Sequence, residues 1–126
     1  MRVVDTSAWL EWLVDSDLGR KVGREMPAQE AWIVPTVVQY ELTRWLTREV
    51  SDEAAGRAIA FSSECVVTTL DTTLALRASE VAQDHALAMV DAIIYATAID
   101  AGADLLTCDA HFADLPNVVY FAKTPS

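Results

Sequence analysis

Short apolar runs alternate along this chain with longer stretches in which apolar residues recur at every third or fourth position. Arg2-Val3-Val4-Asp5 is a β-branched run, followed at once by Thr6-Ser7 and then by Trp9, Leu10, Trp12 and Leu13 at helical spacing. Hydroxyl residues start helices well, so the pattern predicts a strand that turns directly into a helix. A second helix is predicted from about Asp17 to Met26, stopped by Pro27. Ala31-Trp32-Ile33-Val34 reads as a second strand. Thr36 with Gln39 three positions on is a capping signature, which predicts a helix with Thr36 as N-cap that carries Tyr40 to about Arg48. Ser51-Asp52-Glu53 opens another helix, ending near Ser63, and Cys65-Val66-Val67-Thr68 reads as strand three. Asp71 to about Asp84 and Asp91 to Ala101 are the last two predicted helices, the second closed by Gly102. Leu105-Leu106-Thr107-Cys108 and Val118-Val119-Tyr120-Phe121 are the fourth and fifth strands.

Strands that are short and apolar on both faces, alternating with helices, imply an α/β fold with a parallel sheet wrapped by helices. Ligands of such folds bind beyond the carboxyl ends of the strands, where strand order reverses. An acid placed just after a strand is therefore well situated for chemistry.

A length of 126 residues, with no repeat and no Pro- or Gly-rich linker, predicts one continuous domain over 1–126. No apolar run approaches the roughly 20 residues that span a bilayer. Asp5 and Glu11 interrupt the N-terminal stretch that otherwise resembles a signal peptide, so a cytoplasmic protein with no membrane partner is expected. Cys65 and Cys108 have no metal or disulfide spacing and read as small buried hydrophobes. The net charge of −10 argues against a nucleic-acid binder, unless the acids are concentrated for a metal and a basic partner covers them.

Position singles out four of the acids. Asp5 ends the first strand and Asp109 follows the fourth; each could be a helix or turn cap. Glu41 falls within the apolar stripe of Val37, Val38, Leu42 and Trp45, where a carboxylate must be paired or metal-bound. Arg44 or Arg77 would be its partner in an internal ion pair. Asp91 opens a helix that is apolar around its whole circumference, and could also be a cap. Four close carboxylates repel, and a divalent cation relieves that repulsion. Oxygen-only ligation suits Mg²⁺ or Mn²⁺, because His85 and His111 stand at no metal-motif spacing and read as surface or satisfied residues.

Val4-Asp5-Thr6-Ser7, Tyr40-Glu41-Leu42, Asp91-Ala92-Ile93-Ile94 with Ala96-Thr97-Ala98, and Leu106-Thr107-Cys108-Asp109 with Phe112 occur in an order that resembles the PIN-domain toxins of the VapC type. The resemblance implies a three-layer α/β/α fold with a short central parallel sheet and Mg²⁺-dependent endoribonuclease activity, Mn²⁺ being a possible substitute. It also implies the toxin half of a toxin–antitoxin pair, a homodimer, an RNA substrate, and a VapB-like antitoxin whose basic segment enters the site. On this basis Asp5, Glu41, Asp91 and Asp109 form the acidic catalytic and metal site, and Thr6, Ser7 and Thr107 orient these acids by hydrogen bonds. Asp114 is a peripheral acid or a cap.

Positive charge for an RNA backbone is scarce. Arg20, Lys21 and Arg24 cluster on the second helix, and Arg44 with Arg48 forms an i,i+4 pair on the third; each group is an RNA contact or a solvated face. Trp9, Trp12, Trp32 and Trp45 could stack on bases, but their spacing fits core or interface. His111 near Asp109 leaves open a histidine mechanism ending in a 2′,3′-cyclic phosphate. Phosphatases of the haloacid-dehalogenase type also carry strand-end acids, but they want a second Asp where this chain has Ser7. Response-regulator receivers want an Asp after strand three, where this chain has Thr68-Thr69. The non-enzymatic alternative is a PIN-like module that binds RNA or protein without cutting.

Overall fold

The five apolar runs become five short strands; the three central ones are buried by the helices that carry the periodic stretches, and the two at the sheet edges stay partly exposed. The structure, a computed structural model, describes residues 1–123. Its elements in chain order are β1 (Arg2–Val4), α1 (Thr6–Leu13), α2 (Asp17–Gly23), β2 (Trp32–Pro35), α3 (Thr36–Glu49), α4 (Asp52–Ser63), β3 (Val66–Thr68), α5 (Thr72–His85), α6 (Met89–Asp100), β4 (Asp104–Thr107) and β5 (Val118–Tyr120). Short 3₁₀ turns lie at Gln29–Ala31 and Ala110–Phe112.

All strands are parallel, in the order β3-β2-β1-β4-β5. β1 to β3 step outward in one direction and β4 returns to the other side of β1. Strand order thus reverses between β1 and β4, whose register pairs Val4 with Leu106. Right-handed crossovers place α5 and α6 on the face opposite α1 and α4, giving three α/β/α layers. Within α6 every residue from Ala92 to Thr97 is buried, as a helix apolar on all sides requires.

Trp9 and Trp12 of α1, Trp32 of β2 and Phe61 of α4 pack into one cluster, with the Trp9 and Trp32 rings 4.6 Å apart between centroids. Trp9 and Trp32 are sealed in the core and are no platform for bases. Close packing also explains Gly19. A methyl group on its Cα would lie 1.9 Å from the backbone oxygen of Glu11, so α2 rests directly on the last turn of α1. Gly19→Ala is expected to cost about 3 kcal/mol, read as a lower urea midpoint with an unchanged slope.

Several element ends differ from the sequence expectation. Thr36 is not the N-cap of α3: the cap position belongs to Pro35, the last residue of β2, and no side chain caps the helix. Gln39 is drawn away instead, its Nε2 donating to Ser62 Oγ across to α4. α2 stops at Gly23 because Pro27 disfavours helical backbone at Met26. α6 begins at Met89, so Asp91 sits inside its first turn rather than at its start. Gly102 does take the left-handed conformation that closes α6, with φ +61°. No helix among the described residues is long and apolar enough to cross a membrane.

Candidate active site

Asp5 leaves the end of β1 with its N–H donating to Leu106 O, so the residue is pinned at the point where strand order reverses. It occupies the cap position of α1 yet caps nothing. Its Oδ2 accepts instead from Ser7 Oγ at 2.6 Å and from Thr107 Oγ1 at 2.8 Å. Each hydroxyl spends its single proton on the carboxylate, and each accepts from the next loop: Ser7 Oγ from Cys108 N, and Thr107 Oγ1 from Asp109 N. β1, α1 and β4 are thereby tied around one carboxylate that is 4% exposed.

Asp109 keeps part of its capping role, because Oδ1 accepts from His111 N at 2.9 Å at the start of the 3₁₀ turn. Asp91 reaches the same place from the first turn of α6. Its Oδ2 lies 3.2 Å from His111 Nδ1, which is also 3.4 Å from Asp109 Oδ1. Asp91, Asp109 and His111 each offer an atom within 4.8 Å of the others, a spacing that can hold a metal ion. From the sequence His111 reads as a surface residue or as a base beside Asp109, and not as a metal ligand. Its 20-residue separation from Asp91 leaves no local signal, and only its nearness to Asp109 was visible.

Asp5 is not in this close-spaced group, though the charges of Asp91 and Asp109 act on it, and neither is Glu41. Glu41 is half-buried on α3, and its Oε1 accepts from Thr6 Oγ1 at 2.6 Å. The alternative of an internal ion pair is not found: among the described residues no Lys or Arg lies within salt-bridge distance of Glu41, and Arg77 pairs with Asp100. Thr6, Tyr40, Glu41, Arg44 and Arg48 line one groove along α3, with Tyr40 63% exposed. The α3 arginines thus share a groove with Glu41, Arg48 also pairing with Glu49. The α2 cluster does not: Arg20 is paired with Asp15 and Asp17, and the carbonyl of Glu25 beyond α2 is held by Arg2, at the opposite end of β1. Asp114 is exposed and outside the group, and His85 packs edge-on against Tyr95.

Burial pushes the Asp5 carboxyl up to about 6; the Ser7 and Thr107 hydrogen bonds oppose this, and the charges of Asp91 and Asp109 add to it. Asp91 is raised by burial too, and by the charge of Asp109, against the stabilising contact of His111. Among the described residues no Lys or Arg lies within salt-bridge distance of these acids, and the one basic ring there is the His111 imidazole. The donor set is therefore short of positive charge, and it suits a divalent cation held mainly by carboxylates. Both cysteines are free, and burial pushes each thiol up to about 11, as inert packing residues would be.

Comparison with known proteins bears on the fold. Residues 2–118 match the family model described as PIN domain. No curated protein matches the sequence. Among solved structures, a toxin–antitoxin complex from Klebsiella pneumoniae superposes with a TM-score of 0.81 at 21% identity, covering 94% of this chain and 96% of that one. VapC20 of Mycobacterium tuberculosis, described as a toxin that cleaves the sarcin–ricin loop, gives 0.76 at 22% identity, over 94% and 97% of the two chains. VapBC2 of Rickettsia felis, bound to a DNA fragment from its promoter, gives 0.73 at 14% identity over 98% of each chain. At these identities the likeness establishes the fold.

Proposed function

The chain belongs to the PIN domain family, and from that premise we propose that it is a Mg²⁺-dependent endoribonuclease acting as a toxin of the VapC type. The observation that carries the reading is the buried Asp5 carboxylate, fixed by two hydroxyls from β4 and α1, with Asp91 and Asp109 crowding their charge onto it.

Asp5, Asp91 and Asp109 would hold the cation, with Glu41 at its edge beside Thr6. A divalent ion bound there supplies charge neutralisation at a phosphodiester and makes a water acidic enough to attack it. The rest belongs to the chain. Ser7 and Thr107 both hold Asp5 by Oδ2 and neither engages Oδ1, while Thr6 holds Glu41 by Oε1. Arg44 and Arg48 bind the RNA backbone along the α3 groove, and exposed Tyr40 offers a ring for a base. Attack by water leaves a 5′-phosphate and a 3′-hydroxyl. The net charge of −10 favours a VapB-like antitoxin with a basic segment, a partner of the kind that the structural neighbours carry. A homodimer in the cytoplasm completes the reading.

Purified protein incubated with cellular RNA tests it. The wild type is expected to produce discrete 5′-phosphate ends that vanish with a chelator, and Asp91→Asn to lower the rate by at least about a hundredfold. Ends carrying a 2′,3′-cyclic phosphate would instead point to His111 acting on the 2′-hydroxyl. Binding of RNA with no new ends at all would favour the non-catalytic module.

A further inference from the structure

Within that proposed metal site, we infer that His111 is itself a ligand and that it tilts the site from Mg²⁺ toward Mn²⁺ and other imidazole-accepting cations. The inference rests on the metal reading above and adds a donor to it. The ring is 71% exposed, so it is placed by the chain and not by packing of its own. What places it is the 3₁₀ turn Ala110–Phe112, anchored by the buried ring of Phe112 and by the His111 N–H on Asp109 Oδ1. From there Nδ1 stands 3.2 Å from Asp91 Oδ2 and 3.4 Å from Asp109 Oδ1. Two donors at right angles on one cation, with bonds of about 2.1–2.3 Å, stand about 3.0–3.3 Å apart. The separation from Asp91 falls in that range, that from Asp109 is slightly longer, and all three residues offer an atom within 4.8 Å of the others.

The donor type then decides the ion. Mg²⁺ is hard, takes oxygen and gains little from imidazole, whereas first-row transition cations accept nitrogen readily. Exchanging a carboxylate or water oxygen for Nδ1 therefore strengthens Mn²⁺ binding more than Mg²⁺ binding. A rival role for His111 is that of a counter-charge that merely steadies Asp91 and Asp109. In that role it competes with every cation alike.

Binding of Mn²⁺ alone, followed by the loss of the free-ion electron paramagnetic resonance signal, and of Mg²⁺ by competition, separates the two. His111→Ala is expected to weaken Mn²⁺ binding by about tenfold or more while Mg²⁺ binding changes far less, so that the preference collapses. His111→Asn, which sets an amide oxygen near the place of Nδ1, is expected to keep Mg²⁺ binding without restoring the Mn²⁺ preference. An unchanged preference in His111→Ala, or tighter binding of both ions, would overturn the assignment; loss of binding in Asp91→Asn would then leave the carboxylate site itself standing. Wild-type Mn²⁺ affinity in Asp91→Asn would overturn the metal reading and this inference together.

Discussion

Asp5→Asn is expected to reduce RNA cleavage by at least about a hundredfold and, in the presence of a chelator near neutral pH, to raise the melting temperature by about 5 °C. The two effects share one cause. Asp5 is buried, and its carboxyl is raised from the ordinary carboxylate range to about 6. Holding the ionised form in the fold therefore carries a penalty of roughly 3 kcal/mol. Asparagine keeps an oxygen for Ser7 and Thr107 and discards the charge, so it recovers part of that penalty.

The sign follows from proton binding. A raised carboxyl holds its proton in the native state after the unfolded chain has released it, so native stability falls as pH rises from about 4 to about 6 and the cost is complete above. Melting temperatures of the two proteins across this window should therefore converge at the acid end and separate toward neutrality. Saturating divalent cation is expected to reverse the order, because ligand that binds only the native wild type stabilises it. An asparagine variant that melts below the wild type near neutral pH without metal would contradict the account of Asp5, and one that still cleaves would remove Asp5 from the site.

The second large effect concerns a residue that touches no substrate in the proposed reading. Thr107 is fully buried, donates to Asp5 Oδ2 and accepts from the Asp109 N–H, so one hydroxyl holds two of the acids. Thr107→Val keeps the shape and removes both bonds. Cleavage is expected to fall by about 10–100-fold, as for other groups that orient metal-site ligands. A hydrogen bond to a charged group contributes about 1.5–3 kcal/mol, so losing it should move the acid limb of the pH–rate profile up by about one to two units. Thr107→Ser restores a hydroxyl and should return both the rate and the limb. A slow valine variant with an unmoved acid limb would mean that Thr107 serves the fold and not the ionisation of Asp5.

How much of this could be read from the residues follows from how local each signal is. The alternation of strands and helices was legible because hydrophobic periodicity is written over a few neighbouring positions, and all five strands fall on runs identified that way. Helix ends were less legible. Thr36 and Gln39 satisfy the local capping pattern, but Pro35 is held in register with Thr68 and the helix starts straight from the strand. Glu41 illustrates the same limit. Its place in the apolar stripe signalled that it needs a partner, but the partner is Thr6, 35 positions away, and not the arginine on its own helix.

The sequence by itself determined that Asp5 and Asp109 follow apolar strands and that Ser7 and Thr6 stand beside Asp5, since adjacency along the chain survives any fold. Only the tertiary structure decided that β1 lies next to β4, which brings Thr107 within 2.8 Å of a carboxylate 102 positions earlier and sets the ring of His111 between Asp91 and Asp109. It also placed the α3 arginines on the groove beside Glu41, with Arg48 paired to Glu49, and Arg20 of α2 against Asp15 and Asp17. The reason is physical. Periodicity fixes which face of each element must be buried, but the choice of neighbour comes from burying all those faces at once, a property of the whole chain that no local window contains.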